Sequence, residues 1–197
     1  MKTLEWQNLF VEQAKFGKNL FTLTELANAS GVPRSSLNVE LSRLVKYGVA
    51  TRYANGLYGL IGNSVSLEQL LSTMDPHAYV TGAHALMRHG LVTQVPIAIA
   101  CFTNRRHFRR EIQTPAGRME FICVKAPIYR REVRAIAGPE LALCDFVYIT
   151  LRHGQDPVGL VSYRRLHTLR LSLLGSIVKR YPCTVRRSVA VLVGDKG

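Results

Sequence analysis

Arg34, Ser35, Ser36 and Asn38 fall within five consecutive positions directly after Pro33. Arginine presents a planar fork of donors that fits O6 and N7 of guanine, and asparagine the donor and acceptor pair that fits adenine, so this grouping has the chemistry to read base edges. Ser42, Arg43 and Lys46 follow at distances suited to phosphate contact, and Arg52, Tyr53 and Asn55 come a few positions later. A second concentration is Arg105-Arg106-His107-Phe108-Arg109-Arg110, four guanidinium groups within six residues, beside the pairs Arg130-Arg131, Arg164-Arg165 and Arg186-Arg187. Convergent guanidinium groups bind phosphate bidentately. On a strand, alternate residues face opposite ways, so Arg105, Arg106, Arg109 and Arg110 would not all touch one ligand; a solvated basic loop is the other reading.

Catalytic patterns are missing. There is no Gly-x-Ser-x-Gly elbow and no Gly-x-x-x-x-Gly-Lys phosphate loop. His84 and His89 are five apart, about 140° around a helix at roughly 100° per residue, which suits packing or capping rather than a shared metal. Glu111, Glu120, Glu132 and Asp145 are scattered, and Lys125 is the one lysine between residues 47 and 178, so a metal-dependent nuclease is only an outlying alternative. Asp145 and Glu140 are expected to pair with arginines. The cysteines at 101, 123, 144 and 183 are 22, 21 and 39 positions apart and read as buried free thiols. Neither catalysis, metal nor cofactor is expected.

The elements that must hold these residues follow from the apolar spacing. Leu4, Trp6, Leu9, Phe10 and Ala14 predict a first helix ending at Gly17. Thr22 with Glu25 forms a potential capping box for a short second helix ending before Gly31. Pro33 suits the first turn of a third, in which Leu37, Leu41, Leu44 and Val45 line one face before Gly48. Val49 to Ile61 reads as two strands joined at Asn55-Gly56, a pair that tolerates positive φ. Helix, helix, turn, helix and hairpin make a winged helix-turn-helix, with the third helix in the major groove and the hairpin over the adjoining groove. The same elements also serve as a structural or protein-binding module, against which stands the polar, then basic face of residues 34 to 46.

Beyond a Ser/Thr-bearing connection near residues 65 to 75, the order becomes mixed. A helix is expected at Thr81 to His89 and a buried strand at Ile97 to Phe102. Strands at Glu111-Ile112 and Arg118 to Val124 would flank Thr114-Pro115-Ala116-Gly117, with helices from Pro139 to about Leu151 and from Val158 to Leu174. Ser176 to Val193 has no clear period. The fold class is thus α+β: a winged helix-turn-helix over residues 1–65, then a basic mixed α/β domain over 75–197.

Charge divides unevenly between these parts. The 197 residues are 47% apolar and carry a formal +13, which calls for a polyanionic partner. Up to residue 70, seven basic residues against five acidic leave +2, whereas 19 against eight leave +11 in the remainder. Since phosphate neutralisation supplies non-specific affinity, a second copy or the later domain is expected to assist the first. No apolar run approaches the roughly 18 residues of a spanning helix, and Glu5, Gln7, Asn8, Glu12 and Gln13 break up the opening segment, so a cytoplasmic protein without membrane contact is expected.

From about Leu20 to about Leu166 the chain resembles the AbiEi-type antitoxins of bacterial abortive-infection (type IV toxin–antitoxin) systems. The resemblance lies in the order of several pieces: the hairpin ending Gly56-Leu57-Tyr58, Tyr79-Val80-Thr81 leading to Ala85-Leu86 and His89-Gly90-Leu91, and the basic stretch after Phe102-Thr103. Thr114-Pro115-Ala116-Gly117 and Pro139-Glu140-Leu141-Ala142-Leu143-Cys144-Asp145 complete it. It implies a two-part protein. The first part would bind inverted repeats of double-stranded DNA in its own operon's promoter, as a repressor and autoregulator, with a dimer on DNA in prospect. The second would oppose a nucleotidyltransferase-like toxin without a stable complex. The DNA-reading residues carry over by position as Arg34 to Asn38 and Arg52 to Asn55. Leu141 stands where the family usually has a basic residue, and the chain after about Leu169 matches no part of it. A stand-alone winged-helix regulator without a toxin is the principal rival.

Overall fold

The computed structural model describes residues 3–107 and 110–194. The chain is mixed α+β and divides into two compact units, one built on the stretch up to Met74 and one on the stretch from Asp75. Among the described residues no helix is long and apolar enough to cross a membrane.

The first unit comprises α1 (Thr3–Lys15), β1 (Phe21–Thr22), α2 (Leu23–Ser30), α3 (Arg34–Lys46), β2 (Ala50–Ala54), β3 (Leu57–Leu60) and α4 (Leu67–Met74). The capping box is present: the Thr22 hydroxyl accepts from the Glu25 amide, and the Glu25 carboxylate accepts from the Thr22 amide at 2.8 Å. Pro33 stands one place before α3 rather than inside it, and its carbonyl accepts from the Ser36 and Leu37 amides at 2.9 and 3.0 Å. The three strands form an antiparallel sheet in the order β1-β3-β2. β1 is two residues long, too short to leave an alternating pattern. Trp6 and Phe10 of α1, Leu26 of α2, Leu37, Leu41 and Leu44 of α3, and Phe21, Ala50 and Tyr58 of the sheet make one core. Val45, expected in it, is 37% exposed. At roughly 100° per residue it lies about 80° from Leu37, at the margin of the apolar stripe.

The second unit contains β4 (Tyr79–Val80), α5 (Gly82–Arg88), β5 (Ala98–Thr103), β6 (Glu111–Thr114), β7 (Gly117–Cys123), α6 (Pro139–Arg152), α7 (Pro157–Leu160), α8 (Leu171–Val178) and α9 (Cys183–Gly194). Its sheet runs β4-β5-β7-β6, with β5 antiparallel to β4 and parallel to β7. Helix α6 is buried around most of its circumference, Leu141 to Val147 without a break, because α5, α8 and α9 all pack on it. Leu141 is core, 1% exposed.

Several expectations fail here for local reasons. Ile97 is 90% exposed and precedes β5 rather than opening it. Val158 to Leu174 is not one helix: α7 ends at Leu160, the Val161 backbone is extended, and a short 3-10 turn at Leu166–Thr168 precedes α8. Only Cys101 and Cys144 of the four thiols are buried; Cys123 and Cys183 are exposed.

Candidate nucleic-acid interface

Three leucines on one side of α3 are 0–3% exposed, so the rest of the helix is turned outward. Arg34, Ser35, Ser36, Asn38, Ser42, Arg43 and Lys46 are all exposed. By the helical angle, Ser35, Val39, Ser42 and Lys46 lie farthest from the core, with Arg34 and Asn38 on one flank and Ser36 and Arg43 on the other. No acidic residue occupies the first turn, which leaves the positive end of the helix dipole unopposed at Arg34. Glu40, the single carboxylate of α3, accepts a 2.8 Å hydrogen bond from the indole N–H of Trp6 in α1, which draws it toward the core side. Val39 (53% exposed) and Tyr47 (67%) complete this outer surface. Sequence reasoning passed over both, although the place of Val39 opposite the leucine stripe was legible from the helical period. An exposed valine there offers an apolar contact for a thymine methyl group.

On the hairpin, Arg52 and Asn55 are exposed but bonded to each other: Arg52 Nη2 donates to Asn55 Oδ1 at 2.7 Å. The guanidinium also lies 6.0 Å from the centre of the Tyr58 ring. Tyr53, expected beside them on the surface, is instead buried, and its hydroxyl donates to the Asn63 carbonyl at 3.0 Å. The register shift between Arg52 and Ala54 is the reason, since it breaks the alternation that would otherwise set which side chains face out. Burial pushes the Tyr53 phenol above its ordinary range. Of Asn55-Gly56 only the glycine takes positive φ, 74°.

Arg105, Arg106 and Arg110 of the basic cluster lie between β5 and β6, outside both strands. Arg105 contacts the His77 ring, with Nη2 to Nε2 at 2.6 Å. Arg106 and Arg110 are exposed and line a cavity of about 920 Å³, and Arg109 lies outside the described residues. Thr103 and His107 are tied to Asp75, 2% exposed, whose carboxylate accepts from Thr103 Oγ1 at 2.6 Å, from His107 Nε2 at 2.7 Å and from the His77 amide at 2.9 Å. Burial opposes its charge, yet these donors outweigh burial and hold the carboxyl below its ordinary range. The His107 ring stacks on Phe121 at 4.3 Å.

The two carboxylates of α6 part ways. Glu140 has the expected arginine: Arg170 donates to Oε1 from its amide at 3.0 Å and from Nε at 3.1 Å, and this outweighs burial to keep the carboxyl ionised more readily than usual. Asp145 has none. It is fully buried and accepts from three hydroxyls, Thr81 at 2.7 Å, Tyr79 at 3.2 Å and Tyr181 at 2.5 Å. Burial nonetheless pushes its carboxyl up to about 7. His89 Nε2 lies 2.8 Å from the Ala137 carbonyl oxygen. No group of three or more His, Cys, Asp or Glu among the described residues is placed to hold a metal ion. Compared with known proteins, the chain matches no family model and no curated protein.

Proposed function

We propose that this protein is a cytoplasmic DNA-binding repressor that serves as antitoxin and autoregulator of a toxin–antitoxin operon of the abortive-infection kind, acting by binding rather than catalysis. The observation that carries the DNA reading is the exposed polar and basic surface of α3, pinned by its leucines and cleared of its one carboxylate by Trp6. Helices α2 and α3 with the β2–β3 hairpin are, in this reading, a winged helix-turn-helix. Arg34 and Asn38 read bases from one flank of α3, Ser35 and Ser36 assist at its tip, and Ser42, Arg43 and Lys46 hold phosphates. Arg52 and Asn55 act together at the wing, the pair giving up its mutual bond when it meets a phosphate. The antitoxin part of the proposal rests on the resemblance and on the basic loop carrying Arg105, Arg106 and Arg110.

The test is titration of the protein onto its own promoter duplex and onto a scrambled duplex. Arg34→Ala and Asn38→Ala are each expected to cost about 1–3 kcal/mol on the promoter and little on the scrambled sequence, whereas Lys46→Ala weakens both alike. Equal losses on the two duplexes for all three variants refute the division of labour. Co-expression with the toxin encoded beside it tests the second part: failure to protect leaves a stand-alone regulator.

A further inference from the structure

The cavity beside the basic loop has a composition that the DNA reading of α3 does not use. Four permanent cations line it, Arg106, Arg110, Lys125 and Arg152, against one carboxylate, Glu120. Tyr129 and Ile149 add an aromatic and an aliphatic surface to a lining that also holds Asn104, His107 and His153, with Phe121 backing the His107 ring. At about 920 Å³ it is far larger than a lone phosphate requires and falls within the range of pockets that take a whole small ligand. Its wall is also set in advance. His107 is held edge-on by buried Asp75 and face-on by Phe121, and Asp75 is held in turn by Thr103, so binding need not order these groups.

Guanidinium groups select phosphate oxygens, and an apolar, aromatic wall selects a flat ring. Sulfate or bare phosphate would satisfy the first and leave the second wet. A nucleotide satisfies both, and Glu120 offers an acceptor for a base amine or a ribose hydroxyl. We infer that this cavity in the second unit is a nucleotide site, with phosphates at Arg106, Arg110, Lys125 and Arg152 and the base against Tyr129 and Ile149. The occupant is a free ribonucleotide or the terminal nucleotide of a single-stranded RNA; the chemistry recognised is the same. The inference is independent of the reading of α3.

Calorimetric titration of the full-length protein with ATP, with a short single-stranded RNA and with inorganic triphosphate tests it. ATP, the RNA or both are expected to bind saturably and about tenfold or more tighter than triphosphate. Lys125→Glu and Arg152→Glu are each expected to weaken that binding at least about tenfold, with Arg152→Gln intermediate. Binding of ATP assigns a free nucleotide, and binding of the RNA alone assigns a chain end. Triphosphate binding as tightly as ATP and RNA, no binding of either, or reversal variants that stay folded by circular dichroism and still bind at full strength each overturn it. Arg34→Ala leaves the nucleotide isotherm unchanged, and Arg152→Glu leaves promoter affinity unchanged, so failure of either assignment is seen separately from the other.

Discussion

Asp145 is a carboxyl sealed away from water, and three hydroxyls converge on it, from Tyr79 of β4, from Thr81 just before α5 and from Tyr181 between α8 and α9. Its ordinary value of 3.8 rises to about 7 in the folded chain because burial penalises the anion more than the hydroxyls favour it. Between those values the folded protein keeps a proton that the unfolded chain has lost, so stability falls as pH rises from about 4 to about 7, by at most about 1.4 kcal/mol per pH unit from this group. Asp75 and Glu140 work in a separate window: their depressed values add stability that is lost as pH falls below about 4. Urea unfolding at about pH 5 and about pH 8 is therefore expected to show the wild type weaker at the higher pH and Asp145→Asn nearly level; a variant with the wild-type slope refutes the assignment. None of this could be read along the chain, since the partners of Asp145 come from 36 to 66 positions away. The Thr22–Glu25 cap was legible because its partners are three apart. Glu140 found its arginine, but which arginine depended on where α8 begins.

At the scale of elements, apolar spacing located α1 and α3, which bury Trp6 and Phe10 and Leu37, Leu41 and Leu44 on one face; α2 buries Leu26 alone, and α6, expected from Pro139, is buried on most sides. Two-residue strands carry no period, so β1 and β4 were invisible, and from Val158 to Leu174 scattered apolar residues imitate a helix that the extended backbone at Val161 interrupts. The outward residues of α3 were legible, because once the leucines are assigned inward the remainder follow by angle. Tyr53 was not, because a bulge resets the alternation. Gly59 of β3 is what lets the Tyr53 ring lie inward: a Cβ there would stand 2.4 Å from the Asn19 carbonyl oxygen and 3.0 Å from the Tyr53 ring. Gly59→Ala is expected to force backbone apart, costing about 1–3 kcal/mol of stability in denaturant unfolding and weakening promoter binding through the displaced hairpin. Unchanged unfolding in that variant would show that the sheet yields freely.

For the whole molecule the governing quantity is where the charge lies. The surplus of basic residues belongs mostly to the stretch beyond residue 70, while the surface proposed to read sequence belongs to the stretch before it. Arg43, Lys46 and Arg52 could each neutralise one phosphate, so a single protomer bound through them alone would give a slope of about −3 in log affinity against log salt, and a pair on an inverted repeat about −5. The pair is the expected result, measured by titration across a salt series with the stoichiometry fixed by sedimentation. A slope of about −3 at one protomer per duplex would rule it out. The direction of this reading came from composition; which arginines converge did not, because Arg106 and Arg110 meet Lys125 and Arg152 only through the fold.

The hydrogen bond from Trp6 to Glu40 has an optical consequence. The chain has one tryptophan, it is shielded from solvent, and its indole nitrogen is fastened to the middle of α3. Any event that tugs that helix alters the surroundings of the sole indole, so its emission is a built-in gauge of α3 that needs no attached dye.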